Sequence, residues 1–422
     1  MLSWKFEIFD LSQQSRVLCY TSGTAMDLTD SIEDAAFRRR VRTFLDANLP
    51  QGWGAAGYVP PRGDAYLALL RDWQRRLSEA GFLALAWPTE YGGAGASPAQ
   101  VAIFNEEIAL RDAPQPPNVA GVMLAGPVIY SYGTAEQKRR HLGRIVACEE
   151  VWCQGFSEPG AGSDLAALRT RAQLLGDRFI VNGQKVWTSF AHLADWCLLL
   201  ARTDPGAPKH RGLSILLVNM KAPGVEVRPL RHITGAIEFN ELFFNEVAVP
   251  RANLVGDLNH GWQIAMATLM NERGGTGLSA AAKLQMTFAE VLRLCRGLTA
   301  GGQLPTLDPG LRQRLGQLYV EVQGLRWTAH RALSRDRNHL GAGADPSIIK
   351  VLWSELNQRM QEFVMQLQGP ASQITADSRH AIENGRWQFE LLRSRANTIE
   401  MGTSEIHRNT IAERALGLPK SR

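Results

Sequence analysis

The chain has 422 residues, of which 45% are hydrophobic and 21% are charged, the composition of a globular protein with enough apolar material for two or three domains. Its 46 basic and 41 acidic residues are interspersed and leave a net charge of only +5, which excludes the basic stripe of a nucleic-acid-binding surface. The small excess still allows a local basic patch for a phosphate-bearing ligand, and no apolar run reaches the length of a membrane span.

The cysteines and the N-terminus predict the compartment. The five cysteines are scattered, and the N-terminal stretch lacks the long apolar centre of a signal peptide. We therefore expect reduced thiols in a cytoplasmic protein. Cys148 and Cys153 have no second cysteine pair close by, so a zinc site is not expected. The helical pattern begins only after Met26, and residues 1–25 are interpreted as an N-terminal extension or as a misassigned start of the chain.

The first domain is predicted to be helical over residues 26–150. Apolar residues recur at three-to-four spacing in the segments IEDAAFRRRVRTFLDANL, AYLALLRDWQRRLSEAGF and AQVAIFNEEIALRDA. A Gly- and Pro-rich stretch at 50–61 separates the first two, and the run at 86–93 breaks the pattern again. Thr134 and Gln137 fit a capping box at the start of a further helix.

The hydrophobic period then changes from helical to two, which predicts a β domain over residues 151–260. Short strand candidates read WCLLLARTD, LSILLVNM, VEVRPL and ELFFNEVAVP. Asn182-Gly183 between two β-prone runs predicts a hairpin turn. Trp187 and Ser189 stand two apart on one strand, so we expect their side chains to share a face.

The C-terminal part, residues 261–422, returns to a helical pattern. Four segments, which begin at Gly261, Leu311, Ser347 and Ser404, carry long or strongly apolar helical patterns. Four such helices pack most economically as a bundle.

A run of turn-forming residues at 157–164, SEPGAGSD, opens the β domain. Pro159 fixes its own φ, while Gly160 and Gly162 allow a ligand to approach the backbone closely. Together with the Trp187 and Ser189 face, this run predicts a bed for a flat ligand. The alternative is an ordinary β-rich surface with a loop, because short glycine motifs occur often without function.

Three separated motifs, SEPGAGSD, NGQKVWTS and IEMGTSEIHRN at 399–409, occur in the order and approximate spacing of the acyl-CoA dehydrogenase flavoproteins, and the chain resembles that family from about residue 30 onward. The resemblance implies an α+β fold with an N-terminal helical domain, a central β-barrel and a C-terminal four-helix bundle. It also implies bound FAD, an acyl-CoA substrate that loses a proton from Cα and a hydride from Cβ, and an electron-transfer flavoprotein as the electron acceptor. A homodimer or homotetramer is expected, because in the family the flavin site spans two subunits.

The catalytic base is the point at which the chain departs from the family pattern. Many members carry a glutamate immediately before the Gly-Thr of the late motif, where this chain has Met401. Glu400 lies one residue early. A minority of the family places the base on the first helix of the C-terminal domain, before an arginine, and Glu272-Arg273 match that position. The resemblance therefore implies Glu272 as the base, Glu400 as the alternative, and the Met401 backbone N–H, with a flavin hydroxyl, as the donor to the thioester carbonyl.

The resemblance also implies cofactor and substrate contacts. Flavin contacts match the following residues: Ser157, Gly162, Ser163, Trp187, Ser189, Arg296, Gln366, Gly369, Thr403 and Glu405. Arg296 matches an arginine that a neighbouring subunit lends to the FAD pyrophosphate. Tyr91 matches the edge of the acyl pocket. Arg273 and Gly274, followed by a second glycine, together with the stretch FNELFF at 239–244, resemble a bacterial branch that handles bulky acyl groups, including steroid side chains. Close helix packing explains the glycines equally well.

Two rival functions remain open at this point. The missing late glutamate is compatible with a catalytically silent or half-active subunit of a hetero-oligomer. The same fold also carries flavin-dependent oxidases or monooxygenases. His232 and His407 are expected to make local hydrogen bonds rather than to act as acids or bases.

Overall fold

A computed structural model describes residues 30–420, apart from 55–57, 59, 62, 274–275, 299–307, 338–342 and 377. The side chains of 270–273, 276, 336 and 337 also lie outside this description. Across the described helices, none combines the length and the apolar character that crossing a membrane would require.

The N-terminal part is helical, as the periodicity predicts. Its helices are α1 (Ile32–Asn48), α2 (Asp64–Glu79), α3 (Pro98–Leu110), α4 (Gly126–Tyr132) and α5 (Ala135–Val146). The predicted capping box is present, because the Thr134 hydroxyl accepts from the Gln137 N–H and the Gln137 amide oxygen accepts from the Thr134 N–H. Helices α1, α2 and α3 share a core that includes Phe37, Trp73 and Ile103.

An ion cluster fixes α1 against α3. The Glu107 side chain on α3 is almost fully buried and bonds to Arg38 at 2.8 Å, Arg42 at 2.9 Å and Arg111 at 2.9 Å. Each oxygen of this carboxylate therefore has a charged donor, which is the condition for burying a carboxylate without large cost.

The central domain is a single eight-stranded sheet. Its strands are β1 (Trp152–Gly155), β2 (Arg171–Leu175), β3 (Arg178–Ser189), β4 (Trp196–Arg202), β5 (Leu213–Asn219), β6 (Val225–Leu230), β7 (Phe239–Pro250) and β8 (Leu254–Val255). They are ordered β6-β7-β3-β2-β4-β5-β8, with β1 parallel to β4. The sheet curls, so that β5 also contacts β7 although the two are not hydrogen-bonded neighbours. Leu199, Leu216 and Val247 fill its interior.

The predicted hairpin at Asn182-Gly183 is wrong. β3 continues through these residues and pairs with β7 on both sides of them. The hairpin turn lies earlier, at residues 176–177 between β2 and β3, where Gly176 has φ 60°. Asn182-Gly183 instead lies at a β-bulge, where β7 carries the extra residue and Glu246 has φ 51°.

The C-terminal helices are α6 (Gly261–Arg273), α7 (Thr276–Gly297), α8 (Pro309–Arg337), α9 (Asp345–Gln368), α10 (Arg386–Ser394) and α11 (Ser404–Thr410). The segment predicted as one long helix from Gly261 is divided into α6 and α7. The two pack on different surfaces: Ile264 and Ala265 of α6 join the core of the sheet and the N-terminal helices, whereas Leu278 and Leu284 of α7 join the core of the bundle formed with α8 and α9.

Candidate functional site

The loop at 157–164, here called the serine loop, contains a tight turn, which is followed within the loop by exposed backbone. Glu158 and Ala161 exchange two backbone hydrogen bonds of 3.0 Å each, which closes a turn around Pro159 and Gly160. Gly162 is exposed, and a Cβ built on it would meet no atom within 4 Å. The backbone at this point is therefore open to an incoming ligand.

A second bulge, on β3 itself, separates buried from exposed side chains. Between the pairs Lys185–Leu242 and Thr188–Asn240, β3 carries one more residue than β7. As a result Lys185 and Val186 are both buried, and Trp187 and Ser189 then lie together on the exposed side, as predicted. The Trp187 side chain is 56% exposed at φ 62°. Its ring packs edge-on against Phe239, 5.8 Å away.

The phenylalanines of β7 do not form one acyl-binding surface. Phe244 belongs to the interior of the sheet, and Phe243 is covered by the Arg228 guanidinium, 4.3 Å from its ring centre. Phe239 alone of the three packs against Trp187. The FNELFF stretch, which the sequence associates with bulky acyl groups, therefore contributes one aromatic ring to this face.

The turn at 397–403, here called the late turn, is held by hydrogen bonds from two buried side chains, Lys350 on α9 and His407 on α11. The Lys350 ammonium on α9 donates to the Asn397 carbonyl at 2.7 Å and to the Gly402 carbonyl at 2.8 Å. The His407 imidazole donates from Nε2 to the Met401 carbonyl at 3.0 Å, and its Nδ1 contacts the Ser347 hydroxyl at 3.1 Å. The local role predicted for His407 is confirmed.

Met401 is therefore held with its carbonyl turned toward α11 and with φ 54°. Within the described part of the chain its backbone N–H meets no backbone acceptor. Thr403 follows as the N-cap of α11, where its hydroxyl accepts from the Ile406 N–H at 3.2 Å. Next to it, hydrogen bonding to its own backbone N–H and to Thr403 lowers the pKa of the exposed Glu405 carboxyl.

The Glu400 carboxylate is already engaged. Arg393 on α10 donates to both of its oxygens, at 3.4 and 3.2 Å, and the Asn397 amide donates to Oε1 at 2.9 Å. Both carboxylate oxygens are therefore held by donors within this turn and on α10, and turning the side chain toward a ligand would break these hydrogen bonds.

Glu238 brings the late turn and the end of β3 close together. Its carbonyl accepts from the Phe190 N–H at 2.8 Å, directly after Ser189, and its carboxylate lies 3.9 Å from the Arg393 guanidinium. Since Arg393 also holds Glu400, the exposed Trp187 face and the late turn belong to one neighbourhood. His232 lies beside it and contacts the Thr234 hydroxyl at 3.2 Å, the local bond that the sequence predicts.

Other predicted residues lie elsewhere. Gln366 is exposed on α9 and contacts Arg314, Gly369 caps α9 with φ 55°, and Arg296 is exposed in the last turn of α7. Tyr91 stacks on Tyr130 at 6.2 Å and lines a groove of about 480 Å³ beside α5. No hydrogen bond or ion pair among the described residues joins these four to the serine loop or the late turn, although Tyr91 packs against the same apolar core as Ala161 of the serine loop.

The predicted base region is described only in its backbone. Glu272 and Arg273 are the last residues of α6, and their side chains are outside the described residues. Gly274 and Gly275 are outside them entirely.

The described groups fit a flavin. A half-exposed indole, a hydroxyl beside it at Ser189, an open serine and glycine backbone and an uncommitted N–H at Met401 supply stacking and hydrogen bonding for a flat polar ring. No group of three or more His, Cys, Asp and Glu side chains suited to a metal occurs among the residues described.

Sequence reasoning missed two charged residues at this site, Lys185 and Arg393. Lys185 carries a readable signal, because it follows Phe179 and Val181 at the inward positions of an alternating strand, where an unpaired lysine is not tolerated. Arg393 gives no such signal, because its reach to Glu238 and Glu400 depends on how α10 is placed.

Comparison with known proteins assigns the domains. Three family models match in order: "Acyl-CoA dehydrogenase, N-terminal domain" at residues 31–149, "Acyl-CoA dehydrogenase, middle domain" at 153–247 and "Acyl-CoA dehydrogenase, C-terminal domain" at 259–416. The Mycobacterium tuberculosis acyl-CoA dehydrogenase IpdE1 is 40% identical over 91% of this chain and 97% of its own.

Two solved structures are similar over nearly the whole chain. A chain of the ChsE4–ChsE5 complex from Mycobacterium tuberculosis has a TM-score of 0.81 at 32% identity, and the match covers 94% of this chain and 100% of that one. A chain of the Tcur3481–Tcur3483 steroid ACAD has a TM-score of 0.79 at 30% identity, with the same coverage of 94% and 100%.

Proposed function

The chain belongs to the acyl-CoA dehydrogenase family, and on that premise we propose that it dehydrogenates a bulky, steroid-side-chain acyl-CoA at its α,β bond with Glu272 as the base. The family uses FAD, which, when bound, supplies the acceptor for the substrate hydride. The protein's share is to place the thioester, remove the Cα proton and exclude water from the pocket.

The choice of base rests on the state of Glu400. With Arg393 and Asn397 already bonded to both carboxylate oxygens, Glu400 would have to break these bonds to accept a proton. Glu272 occupies the other position that the family uses, at the end of α6. The engaged carboxylate of Glu400 is the single observation that carries this assignment.

The geometry of the serine loop, the Trp187 and Ser189 face and the late turn supports the remaining assignments. We assign the flavin ring to the Trp187 and Ser189 face, the diphosphate half to the serine loop with Ser157, Gly162 and Ser163, and the thioester carbonyl to the Met401 N–H. Thr403 and Glu405 complete the flavin contacts at the start of α11. Arg273 and Gly274 are assigned to the acyl pocket.

The predicted FAD contacts that lie away from the serine loop and the late turn are assigned to the FAD of a second subunit. Arg296, Gln366 and Gly369 lie on the surface of the bundle, where an arginine and an amide can reach the FAD of an adjoining chain. Tyr91 is assigned to the entrance of the acyl site. The N-terminal, sheet and bundle domains are assigned to 26–150, 151–260 and 261–422, with 1–25 as an extension.

The substrate class follows from the relatives. The solved neighbour Tcur3481–Tcur3483 is described as a steroid ACAD, and both it and ChsE4–ChsE5 are complexes of two different chains. We therefore assign a steroid side-chain acyl-CoA, an electron-transfer flavoprotein as the acceptor, and assembly as a dimer, a tetramer or a hetero-oligomer with a second acyl-CoA dehydrogenase chain.

Anaerobic bleaching of bound FAD by straight-chain, branched and steroid side-chain acyl-CoAs tests the proposal. We expect the steroid thioester to bleach the wild type fastest. Glu272→Gln should slow bleaching by about 10²–10⁴-fold, the usual contribution of a general base, whereas Glu400→Gln should stay within about tenfold. Fast bleaching by Glu272→Gln contradicts the assignment of the base.

A catalytically silent subunit is the second candidate, favoured by Met401 in place of the late glutamate. In that case the purified chain would not bleach with any acyl-CoA. Addition of a partner acyl-CoA dehydrogenase chain would then restore bleaching even when this chain carries Glu272→Gln.

A further inference from the structure

A buried ion pair lies beneath the serine loop. The Lys185 side chain is 0% exposed and that of Glu158 is 9% exposed. The Lys185 Nζ donates to Glu158 Oε1 and to the Phe156 carbonyl, at 2.9 Å each. The Lys185 side chain therefore extends from β3 to the start of the serine loop, and its ammonium group is buried there.

The same carboxylate also binds the segment that leads into β2. Glu158 Oε2 accepts from the Arg169 N–H at 2.7 Å, and Oε1 accepts from the Thr170 N–H at 2.8 Å. Arg169 and Thr170 lie eleven and twelve residues after Glu158, directly before β2. One side chain thus joins the start of the serine loop, the segment before β2 and the sheet below.

Lys185 also lies immediately before the bulge that exposes Trp187. The next residue, Val186, donates its N–H to the Ser157 carbonyl at 2.9 Å. Two consecutive residues of β3 therefore hold the start of the serine loop, and the strand then turns Trp187 and Ser189 outward. The distance between the loop and the Trp187 face is fixed through this contact.

The stability contributions of the two charges oppose each other. Burial lowers the pKa of the Lys185 ammonium from 10.5 to about 8, although the Glu158 charge opposes that shift, so the protonated lysine costs stability at neutral pH and the cost is relieved as the pH rises from about 8 to 10.5. Burial alone would raise the pKa of the Glu158 carboxyl, but the Lys185 charge and hydrogen bonds from Thr170 and Arg169 lower it, so the ionised carboxylate stabilises the fold at neutral pH. A buried pair of this kind is often replaceable without loss of stability.

We infer that Lys185 and Glu158 form a positioning pair. The pair holds the serine loop at a fixed position relative to the Trp187 and Ser189 face, so that both surfaces can contact the flavin at once. This rests on the proposed function, in which loop and face bind FAD. Neither side chain is assigned a direct contact with the flavin or the substrate.

The test measures flavin affinity and stability separately. FAD release from the holoenzyme on dilution, followed by flavin fluorescence, gives Kd, and urea unfolding of the FAD-free protein gives stability. For Glu158→Gln and for the double variant Glu158→Gln/Lys185→Met, we expect Kd to rise about tenfold or more, which corresponds to about 1.4 kcal/mol. The double variant should unfold at the wild-type urea concentration.

The pair between the exposed Lys221 and Asp195, 2.7 Å apart beside the start of β4, supplies the matched control. Lys221→Met should leave Kd unchanged. The inference is overturned if the double variant binds FAD as tightly as the wild type, or if its Kd rises only in step with lost stability. Should the double variant not fold, Lys185→Met alone decides and should raise Kd in the same way, since Glu158 then keeps its hydrogen bonds from the Arg169 and Thr170 N–H groups. A wild type that binds no FAD would instead refute the proposed function.

Discussion

The buried imidazole of His407 donates to the Met401 carbonyl across 3.0 Å, and α11 thereby holds the turn that precedes it. Met401 has φ 54°, a left-handed conformation that costs a residue with a side chain about 1 kcal/mol or more. The hydrogen bond holds the carbonyl on one side of the turn, which leaves the N–H on the other side for a ligand.

Loss of this contact should reduce both stability and rate. His407→Ala leaves the Met401 carbonyl without its donor and removes a fully buried ring, so we expect about 2 kcal/mol less stability in urea unfolding. Flavin bleaching by substrate should slow about tenfold, because the Met401 N–H is no longer held in one direction. His407→Gln, whose amide can still donate, should recover part of the rate. A wild-type rate in His407→Ala would show that this N–H does not meet the thioester.

Trp187 should affect flavin binding without affecting folding. Its side chain is 56% exposed, so Trp187→Ala should change the urea midpoint very little. The loss of aromatic stacking, about 1 kcal/mol, should raise the FAD Kd by about fivefold. Trp187→Phe keeps an aromatic face, so its FAD Kd should lie between those of the wild type and Trp187→Ala. Tyr319→Ala, at an equally exposed position on α8, serves as the control, and a Kd equal to that of the wild type in Trp187→Ala would remove the indole from the site.

Gly183 should not accept a side chain. Its φ is 151°, and a Cβ there would lie 2.6 Å from the Thr170 Cα, which is backbone and cannot move aside. We expect Gly183→Ala to cost about 1–3 kcal/mol in unfolding free energy. The displaced Thr170 also donates to Glu158, so FAD affinity should fall as well.

The matched variant, Gly143→Ala, should change the free energy of unfolding in the opposite direction. Gly143 lies inside α5, and a Cβ there would meet nothing within 4 Å. Gly143→Ala should therefore raise stability by up to about 1 kcal/mol. If both substitutions change the free energy of unfolding in the same direction, the close approach of Gly183 to Thr170 is not the reason that position 183 requires glycine.

Acid should weaken the contact between α1 and α3. Burial alone would raise the pKa of the Glu107 carboxyl, but hydrogen bonds and charges from Arg42 and Arg38 lower it below its usual 4.5. A carboxyl whose folded-state pKa lies below that of the unfolded chain stabilises the fold above pH 4.5, and this contribution is lost as the pH falls through the folded-state value.

Glu107→Gln isolates that contribution. At pH 7 it should lower the free energy of unfolding by about 2 kcal/mol, and the difference from the wild type should shrink as the pH falls below 4.5. Glu79→Gln, which removes an exposed pair with Arg75, should leave the pH profile unchanged. A constant difference between wild type and Glu107→Gln at every pH would mean that the charge of Glu107 is not what matters.

The strands and helices of this fold are largely predictable from periodicity, and the exceptions have physical causes. The Asn182-Gly183 turn was read from local chemistry, whereas β7 pairs along the whole of β3 and absorbs those residues as a bulge. The apolar pattern from Gly261 is continuous through α6 and α7, because periodicity reports that a face is buried and not which surface covers it.

The site divides in the same way. The shared exposed face of Trp187 and Ser189 is predictable, because two residues that stand two apart on one strand point to the same side. The engaged state of Glu400 was not, since Arg393 reaches it only through the turn at Arg395–Thr398 that follows α10. Contacts that depend on the placement of one helix against another leave no local pattern.

The bulge on β3 also limits how this strand can change length. Before it, Phe179, Val181 and Lys185 face inward, and after it Val186 and Thr188 do. Because the bulge is one extra residue, removal of Val186 would leave a regular strand in which Lys185 still faces inward and Trp187 and Ser189 still face outward. The same deletion would remove the Val186 N–H that donates to the Ser157 carbonyl, so the exposed face would be kept while its connection to the serine loop is lost.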